Sequence, residues 1–363
     1  MLPQMKKIQV KSSVSAIDLF CGGGGLTYGL QKAGLPIKYG IDADKKCQYP
    51  FEKNTNATFI CKDVSSLAID EITSLFGDAD IKILVGCAPC QPFSTYNHKN
   101  DNPDWELLNS FSKLITALLP DIVSMENVPQ LIKFQGGKIF SEFVGDLKDH
   151  SYSVSFKTLY GPDFGLPQSR SRLVLLASRL GNIELPKPTH ANRHRTVRDA
   201  IGKLPPIEAG ETSQDDPLHR ARSMSDTNLK RIKASLPGGT WRDWDEKLRA
   251  KCHTKKSGET YSSVYGRMRW DKPSPTITTQ FCGFGNGRFG HPEQNRALSL
   301  REGALLQGFP KSYKFFDQKK PLSISKISQI IGNAVPVDIG KAIGKAIIHH
   351  IEEVENGGAT TKV

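Results

Sequence analysis

Asp18-Leu19-Phe20-Cys21-Gly22-Gly23-Gly24-Gly25-Leu26 joins an apolar run, Val14 to Phe20, to a segment with helical spacing from about Leu26. A buried strand that breaks into glycines and then a helix opens a doubly wound α/β sheet. Glycines let the backbone approach a ligand without Cβ clashes, and a helix N-terminus favours anionic groups. The next apolar run, Ile37 to Asp42, leads into Ala43-Asp44. A carboxylate about 20 residues past such glycines is placed to bind ribose hydroxyls. Asp63, after a third strand-like segment, is placed to accept from an adenine amino group. The glycines match neither Gly-x-Gly-x-x-Gly nor the Gly-Lys-Ser/Thr of a P-loop. Together these features imply a nucleoside-bearing cofactor without saying which.

Working outward, Ile81 to Val85, Asp121 to Met125 and Arg172 to Ser178 read as further strands, the second ending at Glu126-Asn127. The texture changes at Leu185-Pro186-Lys187-Pro188. From there to about Pro275 the chain is rich in Pro, Gly, Arg and Lys and poor in long apolar runs. Helical spacing returns from Ser323 to Ile351. The expected organisation is a catalytic and cofactor-binding domain of residues 1–187 and 321–363, with a smaller, loop-rich domain at 188–320. The tail from Glu355 to Thr361 is expected to be disordered.

The 363 residues carry 49 Lys and Arg against 37 Asp and Glu, a formal charge of +12, which favours a polyanionic partner, nucleic acid first. No run of about 18 apolar residues occurs, so no membrane span is expected. The start, Met-Leu-Pro-Gln-Met-Lys-Lys, carries no secretory h-region. The cysteines, at 21, 47, 61, 87, 90, 252 and 282, are odd in number and scattered. That argues for a reducing compartment and against a disulfide framework.

Gly86-Cys87-Ala88-Pro89-Cys90-Gln91-Pro92-Phe93-Ser94 follows the strand at 81–85. The carboxyl end of a parallel strand is where open α/β sheets place ligands. A cysteine there is open to four readings: nucleophile, metal ligand, redox centre or inert core residue. Cys87-x-x-Cys90 permits a thioredoxin-like motif, but Gln91-Pro92-Phe93 does not open a helix. Zinc needs more ligands, and a zinc deaminase would need cysteine where Phe93 stands.

Gly-x-x-Pro-Cys-Gln-x-Phe-Ser resembles the signature loop of the cytosine-C5 DNA methyltransferases of bacterial restriction-modification type. Asp18-Leu19-Phe20 resembles that family's first motif. Glu126-Asn127-Val128 resembles its catalytic acid motif, and Gln168-Ser169-Arg170-Ser171-Arg172 its Gln-x-Arg-x-Arg motif. Gly332-Asn333-Ala334-Val335-Pro336 resembles its final motif. Five motifs occur in the family's order. Where the family's second motif often carries Glu, this chain has Asp42. The family often has an Arg before Leu107 that is missing here.

The resemblance implies the S-adenosylmethionine-dependent methyltransferase fold with a target-recognition domain. The implied activity is methyl transfer to C5 of a flipped-out cytosine in a specific duplex DNA sequence, through a covalent Cys90–C6 intermediate. Cys90 is then the thiolate nucleophile, Glu126 the acid that meets N3 and the exocyclic amine, and Arg172 the contact to O2. Arg170 supports the loop. Phe20, Gly22, Gly24, Asp42, Asp63, Pro89, Leu107, Asn333 and Val335 are the implied cofactor contacts. A helix from about Pro336 to Ile351 is expected beside the glycine turn. The polar loop Thr95 to Trp105 is expected to close over the extruded base. Arg193-His194-Arg195-Thr196-Val197-Arg198 and Pro237 to Trp244 belong to the target-recognition domain, which Tyr265 to Trp270 organises. The partner is double-stranded DNA, with no metal and no membrane. A monomer in the bacterial cytoplasm is expected, with a cognate restriction endonuclease as a candidate partner. Rival readings are a tRNA cytosine-C5 methyltransferase on the same core, a catalytically silent DNA-binding protein, and a nicotinamide dehydrogenase. The last leaves Pro89-Cys90 unexplained.

Overall fold

A computed structural model describes residues 11–89, 106–253, 255 and 258–357. Cys90 and the loop at 95–105 lie outside the described residues. The chain divides into two compact units: residues 1–159, 171–187 and 340–363, and residues 160–170 and 188–339.

The first unit is built on a seven-stranded sheet of order β3-β2-β1-β4-β5-β7-β6. Its strands are β1 (Val14–Leu19), β2 (Ile37–Asp42), β3 (Thr58–Cys61), β4 (Ile81–Gly86), β5 (Ile122–Asn127), β6 (Ser153–Tyr160) and β7 (Ser171–Ser178). Pairings β1–β2, β1–β4, β2–β3 and β4–β5 are parallel, and β5–β7 is antiparallel. The expected doubly wound α/β sheet is therefore present, as a mixed sheet. Its central strands are almost continuously apolar because both faces are covered. Ile17, Leu19, Leu84, Val123, Met125, Leu173 and Leu175 share one buried cluster. The helices are α1 (Gly25–Ala33), α2 (Gln48–Asn54), α3 (Ile69–Phe76), α4 (Glu106–Leu118) and α5 (Lys138–Asp149).

Strand order reverses between β1 and β4. The chain runs β1 to β3 toward one edge and then β4 to β5 toward the other. The crevice beyond the carboxyl ends of β1 and β4 is thus the topological switch point, where such sheets bind ligands. Leu19 pairs with Gly86, so the glycine turn and the start of the cysteine loop leave the sheet side by side.

The final helix, α10 (Val337–Asn356), packs on α1 from Gly340 onward. A Cβ on Gly340 would lie 3.0 Å from the Leu26 carbonyl oxygen and 3.3 Å from Gly29 Cα. Glycine is what permits this approach. His350 Nε2 lies 2.8 Å from Ser178 Oγ, tying α10 to β7. The expected disorder from Glu355 does not hold at its start. Glu355 and Asn356 are helical, and the Glu355 carboxylate accepts from the backbone N–H groups of Lys11 and Ser12 at 3.1 and 2.8 Å.

The second unit contains α6 (Val197–Ile201), α7 (Asp226–Ala234), α8 (Leu300–Leu306) and α9 (Ile324–Asn333). Between them its described residues form loops joined by isolated bridges. Trp241, Trp244, Phe284, Ile232 and Ala297 form a small core. Arg267 is buried at its centre and donates to the carbonyls of Ile232, Ser235, His291 and Gln294. One guanidinium thereby satisfies a set of loop carbonyls that no sheet ladder serves. The division between units differs from 188–320 at two places. Residues 160–170 join the second unit because Gln168 donates to Leu306 O and accepts from Ile277 N. Residues 321–339 join it because Gln307 donates to Ile331 O at 2.6 Å, pinning α9 to the end of α8.

Candidate active site

The glycine turn is built around two acids. Asp18, at the end of β1, is fully buried and accepts from Thr27 Oγ1 at 2.5 Å. Gly24 caps α1 without a side chain, and Asp18 instead takes the hydroxyl of Thr27 from the first turn of that helix. Burial pushes the Asp18 carboxyl up to about 7, against the Thr27 hydrogen bond and with Asp42 adding to the rise. Its Oδ1 has no hydrogen-bond partner among the described residues. Asp42 Oδ2 accepts from Gly22 N at 2.9 Å and Oδ1 from Asp44 N at 2.8 Å. Burial raises the Asp42 carboxyl too, against those two bonds. The carboxylate clamps the turn while each oxygen keeps a lone pair.

Phe20 (φ 59°), Gly22 (φ 51°) and Gly24 (φ 89°) all lie in the left-handed region. For Phe20 this is a strained conformation of a kind that collects at functional sites. A Cβ on Gly22 would meet nothing within 4 Å. Asp63 follows β3, is exposed, and accepts from Ser65 N and Oγ at 2.9 and 2.7 Å. Pro89 is half-buried, and Leu107 is half-buried in the first turn of α4.

Glu126 and Asn127 do not follow β5 but belong to it. They pair with Val174 and Leu173 of β7. Gly86 pairs with Met125 across β4–β5, which brings the next residues, Cys87 and Glu126, together. Cys87 Sγ donates to Glu126 Oε2 at 2.9 Å. Arg172 Nε lies 2.9 Å from Glu126 Oε1, with the two side chains 12% and 2% exposed. Asn127 Nδ2 donates to Ala88 O at 3.2 Å and holds the start of the cysteine loop. Sequence reading singled out Glu126 and Arg172. It weighed Cys87 as half of a Cys-x-x-Cys pair, and the pairing of β4 with β5 is what joins Cys87 to Glu126.

The remaining expected residues lie in the second unit. Arg170 is buried and donates to Ile277 O at 2.8 Å and Gly332 O at 3.3 Å. Asn333 ends α9 and is exposed, while Val335 is buried in the link to α10. Trp241 and Trp244, in the stretch assigned to the target-recognition domain, are buried, with their indole N–H groups on Tyr261 O and Ser235 Oγ. Among the described residues, no group of three His, Cys, Asp or Glu side chains is placed to hold a metal ion. No described helix is long and apolar enough to cross a membrane.

The family described as "C-5 cytosine-specific DNA methylase" matches residues 14–349. The chain belongs to that family. It is 50% identical over 340 residues to the type II methylase M.HgiDII of Herpetosiphon aurantiacus, covering 93% of this chain and 96% of that one. It is 32% identical over 342 residues to the type II methyltransferase M1.HphI of Haemophilus parahaemolyticus, covering 93% and 87%. In fold it resembles a DNA modification methyltransferase encoded within an E. coli prophage, with a TM-score of 0.74 at 21% identity, covering 94% of this chain and all of that one. As a C-5 cytosine DNA methylase it is a DNA (cytosine-5-)-methyltransferase of the restriction-modification type. Methyltransferases of this family use S-adenosylmethionine as the methyl donor.

Proposed function

We propose that this methylase transfers the methyl group to C5 of a cytosine turned out of a specific duplex DNA sequence, through a covalent bond between Cys90 Sγ and C6. The observation that carries the reading is the Glu126–Arg172 pair, set beside the start of the Cys90 loop by the β4–β5–β7 register.

C5 of cytosine is too weak a nucleophile to take a methyl group directly. Addition of the Cys90 thiolate at C6 makes C5 enamine-like. After C5 has taken the methyl group, loss of its proton and expulsion of the thiolate restore the ring. Glu126 hydrogen-bonds N3 and the exocyclic amine and supplies a proton at N3 as the thiolate pushes negative charge into the ring. Arg172 contacts O2 and holds Glu126 in place by its charge. Arg170, engaged with backbone carbonyls, positions the segment leading to Arg172. Extrusion of the base from the stack costs a few kcal/mol.

The turn fits S-adenosylmethionine. Open space above Gly22 admits a ligand, Asp42 retains lone pairs for ribose hydroxyls, and Asp63 stands beside β2 for an adenine amine. Phe20, Gly24, Pro89, Leu107, Asn333 and Val335 complete the proposed contacts. When bound, this cofactor supplies an electrophilic methyl group on a sulfonium. The second unit recognises the DNA, and the protein acts as a monomer in the bacterial cytoplasm, beside a cognate endonuclease.

Labelled S-adenosylmethionine with duplex DNA or with tRNA, followed by bisulfite mapping, tests the substrate. Label in tRNA alone would sink it. On duplexes carrying 5-fluorocytosine the wild-type chain forms a covalent adduct and Cys90→Ser does not. An adduct with Cys90→Ser would remove the proposed nucleophile.

A further inference from the structure

Glu126 is buried in the sheet, and its carboxylate oxygens have different neighbours. Oε2 accepts the Cys87 thiol at 2.9 Å. Oε1 has Arg172 Nε at 2.9 Å, but makes no aligned hydrogen bond among the described residues. The terminal torsion of a glutamate is broad and roughly two-fold. A nearby charge holds such a carboxylate in place without choosing its plane. A directional donor chooses it.

We propose that Cys87 is a positioning residue for methyl transfer: its thiol sets the plane in which Glu126 meets the cytosine. The inference rests on the reading of Glu126 given above. The thiol is itself held from the backbone. Cys87 N donates to Leu19 O at 3.3 Å, and Asn127 Nδ2 fixes the next carbonyl, Ala88 O, at 3.2 Å. The β4–β5 register then leaves Cys87 and Glu126 abreast. A thiol is a weak donor. It orients the carboxylate without competing strongly with the N3 and amine groups of the base for the same oxygens. No proton needs to leave Cys87, so its contribution is geometric.

The test compares Cys87→Ala, Cys87→Ser, Glu126→Gln and the Cys87→Ala/Glu126→Gln double variant of the full chain. The assay is labelled methyl transfer into unmethylated duplex DNA, with melting temperature measured alongside. Cys87→Ala lowers kcat by about tenfold while KM for S-adenosylmethionine and for DNA stays within about twofold. Cys87→Ser, which keeps a donor, recovers kcat to within about threefold of wild type. In the Glu126→Gln background, loss of the thiol slows the reaction no further, because both changes act on one group. Wild-type kcat in Cys87→Ala overturns the proposal. So does a serine variant that melts like wild type yet is as slow as the alanine variant, or a double variant slower than Glu126→Gln by the full factor of Cys87→Ala. Wild-type kcat in Glu126→Gln overturns the reading of Glu126 first. A slow Glu126→Gln with a fast Cys87→Ala refutes only the role of Cys87.

Discussion

Arg172 Nε stands 2.9 Å from Glu126 Oε1 across the antiparallel pair of β7 and β5. Glu126 faces Val174, and Arg172 lies two residues from Val174 on the same face of its strand. Such diagonal neighbours are within reach of long side chains. Removing the cation leaves an uncompensated charge in the sheet, which costs about 3–5 kcal/mol. Arg172→Ala therefore melts well below wild type and loses methyl transfer. Glu126→Gln keeps the shape without the charge, and its kcat falls about 100-fold or more. Calorimetry and single-turnover kinetics on both variants check this. An Arg172→Ala chain as stable and active as wild type would refute the pairing.

Asp18 gives the first unit a pH dependence of known sign. Its carboxyl rises from 3.8 to about 7 on folding, chiefly through burial. Between those values the folded state binds the proton more tightly than the unfolded chain. Stability from this group therefore falls as pH rises from about 4 to about 7 and then levels, by a total on the order of a few kcal/mol. Asp18→Asn, which stays uncharged, flattens the curve of melting temperature against pH over that window. An unchanged slope would mean that Asp18 is not the group responsible.

Glu302 has the opposite sign. Burial alone would push its carboxyl up, but both Arg296 guanidinium bonds, at 2.7 Å, outweigh it and hold the group down at about 2. The stability it contributes is complete above its unfolded value of 4.5 and is lost as pH falls through about 2. Glu302→Gln breaks this buried pair at a cost of about 3–5 kcal/mol. Because the pair lies in the second unit, DNA binding in a gel-shift assay drops more than binding of S-adenosylmethionine by calorimetry, most of whose proposed contacts belong to the first unit. Unchanged DNA binding in a variant that melts lower would contradict the assignment of the second unit to DNA.

Arg193 and Arg195 line a pocket with His190, His194 and Asp199. If both arginines meet phosphates, the Arg193→Ala/Arg195→Ala variant lowers the slope of log K against log salt by about two. The check is DNA affinity measured across a salt series. A slope equal to that of wild type would place the phosphates elsewhere.

The strands at 37–42 and 81–85 and the helix after the glycines were legible because buried strands and glycine breaks are local signals. β5 was read as stopping at Met125, two residues short of its end at Asn127. Glu126 and Asn127 are poor strand formers, and pairing with Leu173 and Val174 overrides that preference. β6 escaped notice because much of this edge strand is exposed and its alternation is weak. The burial of Trp241 and Trp244 was not legible, because their stretch has no periodicity to mark them as core.

By itself the sequence determined the succession of strands and helices, the place of the glycine turn and the kinds of groups available for chemistry. Those follow from periodicity and residue type, which are written along the chain. Only the tertiary structure decided that Cys87, Glu126 and Arg172 converge. That depends on the register of β4 with β5 and of β5 with β7. Register between strands far apart in the chain is set by how the buried faces pack, not by any local stretch.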